Sequence, residues 1–179
     1  MRLNHRQLGS IHPDKTGFTL IEILIVVVIL GILAAIIIPN FTNATTLTKE
    51  NTLHDELRFM RTQIEIYSAQ HTDTAPGYPT GGPSQGAPTN DDFVNQMTNY
   101  TDNTGATSPT QTNAFEYGPY LSEMPANPIN NLNTIMMVAD GASFPTPDGT
   151  TGFIFQPKTM QFEPNVVGND STGEPFINY

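Results

Sequence analysis

Cysteine and tryptophan are absent from the 179 residues, and only seven Lys and Arg stand against 17 Asp and Glu. Each shortage excludes something. Without cysteine no disulfide can close a loop, and no thiolate is available as a nucleophile or soft metal ligand. With a formal net charge of −10, the chain offers nucleic acid no clustered cations, so no nucleic-acid binding is expected. The four histidines, His5, His12, His54 and His71, lack metal-ligand spacing. No G-x-S-x-G elbow or phosphate-binding loop occurs. The adjacent pairs Asp55-Glu56 and Asp91-Asp92 point to different faces of a helix or strand and read as solvated surface. The chain is therefore expected not to be an enzyme, and no internal repeat is present.

What the chain does have is a hydrophobic run. Residues 17–39 read GFTLIEILIVVVILGILAAIIIP, and from Ile23 to Ile38 no side chain is polar. Counted from Phe18 to Ile38 the run holds 21 residues. A helix of that length rises about 30 Å, the thickness of a bilayer hydrocarbon core. One membrane crossing is predicted. The exception is Glu22, because an acid within such a helix costs about 2.5–3.5 kcal/mol. A cleavable secretory signal would be the ordinary alternative, but Glu22 interrupts the apolar region, the region is long and no A-x-A site follows. Arg2, Arg6 and Lys15 precede the run, which keeps the amino terminus cytoplasmic and puts the carboxyl-terminal part on the far side of the membrane.

Gly17, Phe18, Thr19, Leu20, Ile21 and Glu22 resemble the cleavage and methylation motif of type IV prepilins and type II secretion pseudopilins. A short charged leader ends in glycine, Phe follows as the new first residue, the acid falls fifth after the cut, and Pro39 interrupts the apolar helix. The resemblance implies a prepilin peptidase that cuts between Gly17 and Phe18 and methylates the new amino terminus of Phe18. It also implies an assembly role for Glu22, facing the amino terminus of a neighbouring subunit. Two costly charges would become a pair, and mispaired registers would be penalised. The plain alternative is an acid at a helix start, satisfied by free N–H groups and the positive end of the dipole. Loss of the leader removes Arg2, Arg6, Lys15 and Asp14, leaving four basic and sixteen acidic residues and a net charge of −12.

Beyond Pro39, Leu53, Leu57, Met60, Ile64 and Tyr67 recur at helical spacing, so all five share one face directed at a core. Glu50, Asp55, Arg58 and Gln63 occupy the polar side. Phe59 and Ile66 lie off the stripe, against either a neighbouring subunit or a wide core. One helix is thus expected from 18 to 71, kinked at Pro39, where proline donates no N–H. The sequence then divides into a leader (1–17), a transmembrane helix (18–38), an amphipathic half-helix (39–72), a connecting region (73–132) and a sheet with its tail (133–179).

The connecting region opens on PGYPTGGPSQGAP, which no helix survives. A short helix is predicted over 91–99, anchored by Phe93, Val94 and Met97. Residues 116–128, EYGPYLSEMPANP, look like the stretch before the sheet in major pseudopilins, with Tyr117, Tyr120, Leu121 and Met124 as buried anchors. Strands are predicted over 133–139, 152–156 and 159–163, the last two as a hairpin around Gln156-Pro157-Lys158-Thr159 with Phe153 and Phe155 on one face. The fold class is α+β, a long amino-terminal helix packed on a small antiparallel sheet. The tail, ending Phe176, Ile177 and Tyr179, is expected to fold back over that sheet.

The family resemblance makes calcium the one ligand to weigh, with Asp140, Asp148 and Asp170 as candidate ligands in loops that lack EF-hand spacing. Absent cysteines and a small sheet favour the major pseudopilin of a type II secretion system, sitting in the inner membrane with its globular part periplasmic. Its partners would be prepilin peptidase, identical subunits and other pilins, an inner-membrane assembly platform and membrane lipid. The alternatives are a type IV pilin of a surface fibre and a single-pass anchored binding protein that never polymerises.

Overall fold

The computed structural model describes residues 17–179, with backbone alone over 38–43. The rest of the leader and the side chain of Pro39, with its predicted kink, lie outside the described residues. The chain forms two compact units, Met1–Asn43 and Ala44–Tyr179. Helix α1, Leu20–Gln70, contributes to both.

In the first unit the helix segment Leu20–Ile37 is long and apolar enough to cross a membrane, and none of it is buried by protein. Apart from Glu22 its side chains are apolar all round, with Ile25, Val27 and Ile29 each about half exposed. A helix with no polar face has a solvent-facing surface suited to lipid.

In the second unit α1 is striped. Leu53, Leu57, Met60, Ile64 and Tyr67 are at most 1% exposed, as the spacing predicts. They meet Phe93 and Met97 from helix α2, Asn90–Thr98. Thr89 caps α2, accepting from the Asp92 amide at 3.0 Å while donating its hydroxyl to the Asp92 carboxylate at 2.7 Å. Asp92 thus has a structural use beyond solvated surface. A two-stranded antiparallel ribbon follows, β1 Tyr100–Thr101 and β2 Thr107–Ser108. Its strands are too short for period-two alternation to reveal them.

The main sheet orders its strands β3-β4-β5, with β3 Ile135–Met137, β4 Phe153–Gln156 and β5 Gln161–Pro164. It corrects the expectation of a wholly antiparallel sheet. β3 runs parallel to β4, pairing Ile135 with Phe153 and Met137 with Phe155. β4 and β5 are antiparallel, pairing Phe155 with Phe162. The loop between β3 and β4 is long enough to return the chain, which a parallel pair requires. The turn into β5 is a 3₁₀ helix, Pro157–Thr159, closed by Met160 in the left-handed region at φ 54°. Central strand β4 buries Phe153, Ile154 and Phe155 alike, so its run is continuous rather than alternating. Phe93, Phe153, Phe155 and Phe162 interlock, with ring centroids of Phe153 and Phe162 5.1 Å apart. Among the predicted anchors, Tyr120 and Leu121 are buried, and Tyr117 and Met124 partly so.

The tail turns back, but a second stripe on α1 holds it, where the expectation placed it over the sheet. Glu50, His54 and Arg61 are spaced by four and seven residues and so share a face. Glu50 accepts from the Ser171 amide at 2.8 Å and the Ser171 hydroxyl at 2.6 Å. His54 stacks on Tyr179 with ring centroids 3.6 Å apart. Arg61 donates to the Phe162 carbonyl at 3.0 Å, the Tyr179 carbonyl at 2.9 Å and the Glu163 carboxylate at 2.6 Å. Glu50, expected on the solvated side, is therefore buried, because its carboxylate gains two donors there.

Candidate processing and assembly site

The site is the first turn of α1. Gly17 and Phe18 precede the helix in extended or irregular backbone, and Phe18 is 84% exposed. A Cβ built on Gly17 meets nothing within 4 Å, so no packing requires glycine there. Helix α1 starts one residue after Thr19, and Glu22 falls at its third position.

Thr19 and Glu22 form a reciprocal cap. The Glu22 carboxylate accepts from the Thr19 amide at 2.7 Å and from the Thr19 hydroxyl at 2.6 Å, while the Thr19 hydroxyl accepts from the Glu22 amide at 3.3 Å. This is the T-x-x-E capping box, which satisfies two backbone N–H groups at a helix start and places negative charge at the positive dipole end. Glu22 thus has a local partner, the plain alternative to an assembly role. The two roles are compatible, since one carboxylate oxygen carries both bonds from Thr19. The cap also holds the carboxylate within the first turn, close in sequence to the Gly17-Phe18 bond.

The candidate calcium residues are each engaged by their own surroundings. Asp140 accepts from the Tyr78 hydroxyl at 2.6 Å. Asp148 accepts from the Thr150 amide and hydroxyl and from Asn165 at 2.7 Å. Asp170 accepts from Thr172, from the Glu174 amide and from the Tyr179 hydroxyl at 2.7 Å, and the Tyr179 bond above all holds its carboxyl far below the ordinary range. Asp148 is likewise lowered, mainly by the Thr150 amide. Among the described residues no group of three or more acidic or histidine side chains is placed to hold a metal, so the structure does not gather these three.

Two polar residues with a structural part escaped the sequence reading. His71 is buried, stacked on Tyr67 at 3.8 Å, with Nδ1 2.7 Å from the Tyr67 carbonyl and Nε2 3.0 Å from the Thr101 hydroxyl. Asn165 is fully buried, accepting from the Asp148 and Gly149 amides and donating to Asp148 and Thr151. Neither has a sequence signal beyond its residue type. Glu56 differs in kind. Its Oε2 is buried without a hydrogen-bond partner, and burial pushes its carboxyl up, which corrects the reading of Asp55-Glu56 as a wholly solvated pair.

Comparison with known proteins converges on the same first turn. Residues 13–38 match the family described as the prokaryotic N-terminal methylation motif. The type IV major pilin protein PilA of Myxococcus xanthus is 43% identical over 64 residues, 36% of this chain and 29% of that one. The type IV major fimbrial protein FimA of Dichelobacter nodosus is 51% identical over 51 residues, 28% of this chain and 33% of the relative. The type II secretion system core protein G of Pseudomonas aeruginosa is 37% identical over 54 residues, 30% of this chain and 38% of its own length. The chain thus spans about a third of the length of these curated relatives, and no solved structure matches it. An exposed apolar helix that opens on the methylation motif, followed by a small α+β unit, gives the chain a pilin-like architecture, and its matched part is similar both to type IV pilins and to a type II secretion core protein.

Proposed function

We propose that the chain is the structural subunit of a type IV pilus-like filament, cut between Gly17 and Phe18 by prepilin peptidase, methylated on Phe18 and drawn from the inner membrane into a polymer. The observation that carries this reading is the methylation motif over residues 13–38 on a helix whose first half is apolar on every side and unburied. A helix of that kind has two suitable surroundings, lipid before assembly and other copies of itself after it. Glu22 supplies register, because a carboxylate in an apolar bundle demands a cation and the new amino group is the one created by the cut.

The first destination is the pseudopilus of a type II secretion system, with the globular unit periplasmic and an assembly platform at its base. Absent cysteines and a main sheet of three strands support it. The surface pilus is the second, supported by the resemblance to the pilin of M. xanthus and the fimbrial protein of D. nodosus. Imaging filaments from the native host separates them: retention in the periplasm favours the pseudopilus, and fibres sheared from the cell surface favour the pilus.

Glu22→Ala tests the assembly role. The variant should be cleaved and inserted as the parent is, yet be lost from filaments. Incorporation at the parent level would remove that role and leave Glu22 with its cap alone.

A further inference from the structure

Among the described residues one buried side-chain oxygen lacks a hydrogen-bond partner, Oε2 of Glu56. A buried polar atom left so is uncommon and costs free energy. Glu56 lines a hollow of about 340 Å³ between α1 and the loop over residues 120–125, together with Phe59, Tyr120, Leu121, Glu123 and Pro125. Phe59 is half exposed there. Two acids beside two aromatic rings form a site for a cation on an apolar stem. The terminal torsion of Glu is soft, so the carboxylate can turn to offer both oxygens.

The chain itself supplies the cation. Of the four basic residues that follow Gly17, Arg61 is taken by Glu163 and two carbonyls. Lys49, Arg58 and Lys158 are exposed, and the one ion pair among the described residues is that of Arg61. Arg58 fits best, because a planar guanidinium pairs with a carboxylate bidentately and lies flat on aromatic faces, as a hydrated ammonium does not. It cannot reach Glu56 of its own chain, since residues two apart on a helix point about 200° apart. Donor and acceptor therefore occupy opposite sides of one helix. Such a contact is heterologous, each copy giving Arg58 to one neighbour and Glu56 to another, and a heterologous contact that does not close into a ring propagates as a helical filament.

We propose that the hollow beside Glu56 receives Arg58 of a second copy of this chain. The inference rests on the filament-subunit reading and assigns it a lateral contact in the globular unit.

Cysteine cross-linking of the full chain in its assembling host is the test, and a cysteine-free parent gives it no background. Co-expressed Glu56→Cys and Arg58→Cys chains should be joined into a dimer by a short bis-maleimide, because cysteines in place of a long Arg–Glu pair leave a gap wider than a direct disulfide spans, and a chain carrying both should form a ladder. Either change alone should give neither. Charge reversal tests the same pair differently. Glu56→Arg and Arg58→Glu should each lower filament yield at least about tenfold, since like charges then meet, and the double reversal should restore it. Glu56→Gln should raise the thermal midpoint of the unassembled subunit while lowering filament yield, which a purely structural carboxylate would not do. Filaments that form without the Glu56–Arg58 cross-link, or that link Glu56→Cys to Lys158→Cys instead, overturn the assignment to Arg58. Failure of the parent chain to polymerise would overturn the filament reading itself.

Discussion

One helix serves two surroundings in this molecule, and the difference lies in how its side chains are distributed around the axis. Between Leu20 and Ile37 no side chain is buried, and the polar group with a visible job is Glu22, which closes the first turn with Thr19. Between Glu50 and Tyr67 the same helix separates its faces: an apolar stripe against the sheet and a polar stripe against the tail. The first half has surface and little internal wiring, so its energetics depend on lipid or on other copies. The second half carries its partners within the chain. Changes in the first should therefore alter processing and assembly and spare the globular unit, while changes in the second should alter stability.

The largest effect expected is on processing. Gly17→Ala should leave the leader attached in all of the protein while the thermal midpoint of the globular unit is unchanged, because a Cβ there meets no neighbour. Cleavage at the parent rate, read from gel mobility with prepilin peptidase present, would show that the glycine is not needed.

Next is Gly152, in the globular unit. A Cβ at this position would sit 2.1 Å from the Leu132 carbonyl oxygen, a backbone atom held by the Asn127 amide at 2.9 Å. Gly152→Ala should cost more than about 3 kcal/mol in urea unfolding of the detergent-solubilised chain, since backbone has to move. A cost below about 1 kcal/mol would mean that the β3–β4 junction is looser than described.

Arg61→Ala should cost about 2–3 kcal/mol by the same measurement, because it strands the Glu163 carboxylate and frees two carbonyls. Burial already pushes the Glu163 carboxyl up despite Arg61, so the variant should lose less on mild acidification than at neutral pH. A uniform loss would contradict the electrostatic part of that explanation.

The smallest effect is from His71. Burial lowers its pKa, so the unfolded chain binds the proton more readily than the folded one. Its contribution is present above the unfolded value of about 6.5 and is lost as pH falls through that value towards the folded pKa. Nδ1 faces a carbonyl and so carries the hydrogen, leaving Nε2 to accept from Thr101. His71→Gln should flatten the stability profile below about pH 6.5; an unchanged slope there would assign it to other groups.

Much of this was legible beforehand, for physical reasons that can be named. Apolar side chains at 3.6-residue spacing leave a strong signal, and the stripe from Leu53 to Tyr67 is buried where that signal places it. The span is a local sequence and could be read directly, as could an acid at a helix start, whereas Thr19 as its capping partner comes from the structure. The polar stripe of Glu50, His54 and Arg61 was present in the spacing, but its partners lie over a hundred residues away, and polar periodicity alone does not separate a buried face from a wet one. Strand direction was harder still. The residues of β3 favour a strand in either sense, and only the long return to β4 makes the pair parallel. Asn165 and Asn127 replace water for buried backbone groups, a use of asparagine that leaves no pattern in the chain.

The central claim is that the exposed apolar helix begins at a cut. Intact mass spectrometry of the membrane-extracted protein from its native host tests it most directly. A chain starting at Phe18 and carrying one added methyl is the predicted result, whereas a chain retaining Met1 to Gly17 in assembled filaments would contradict it.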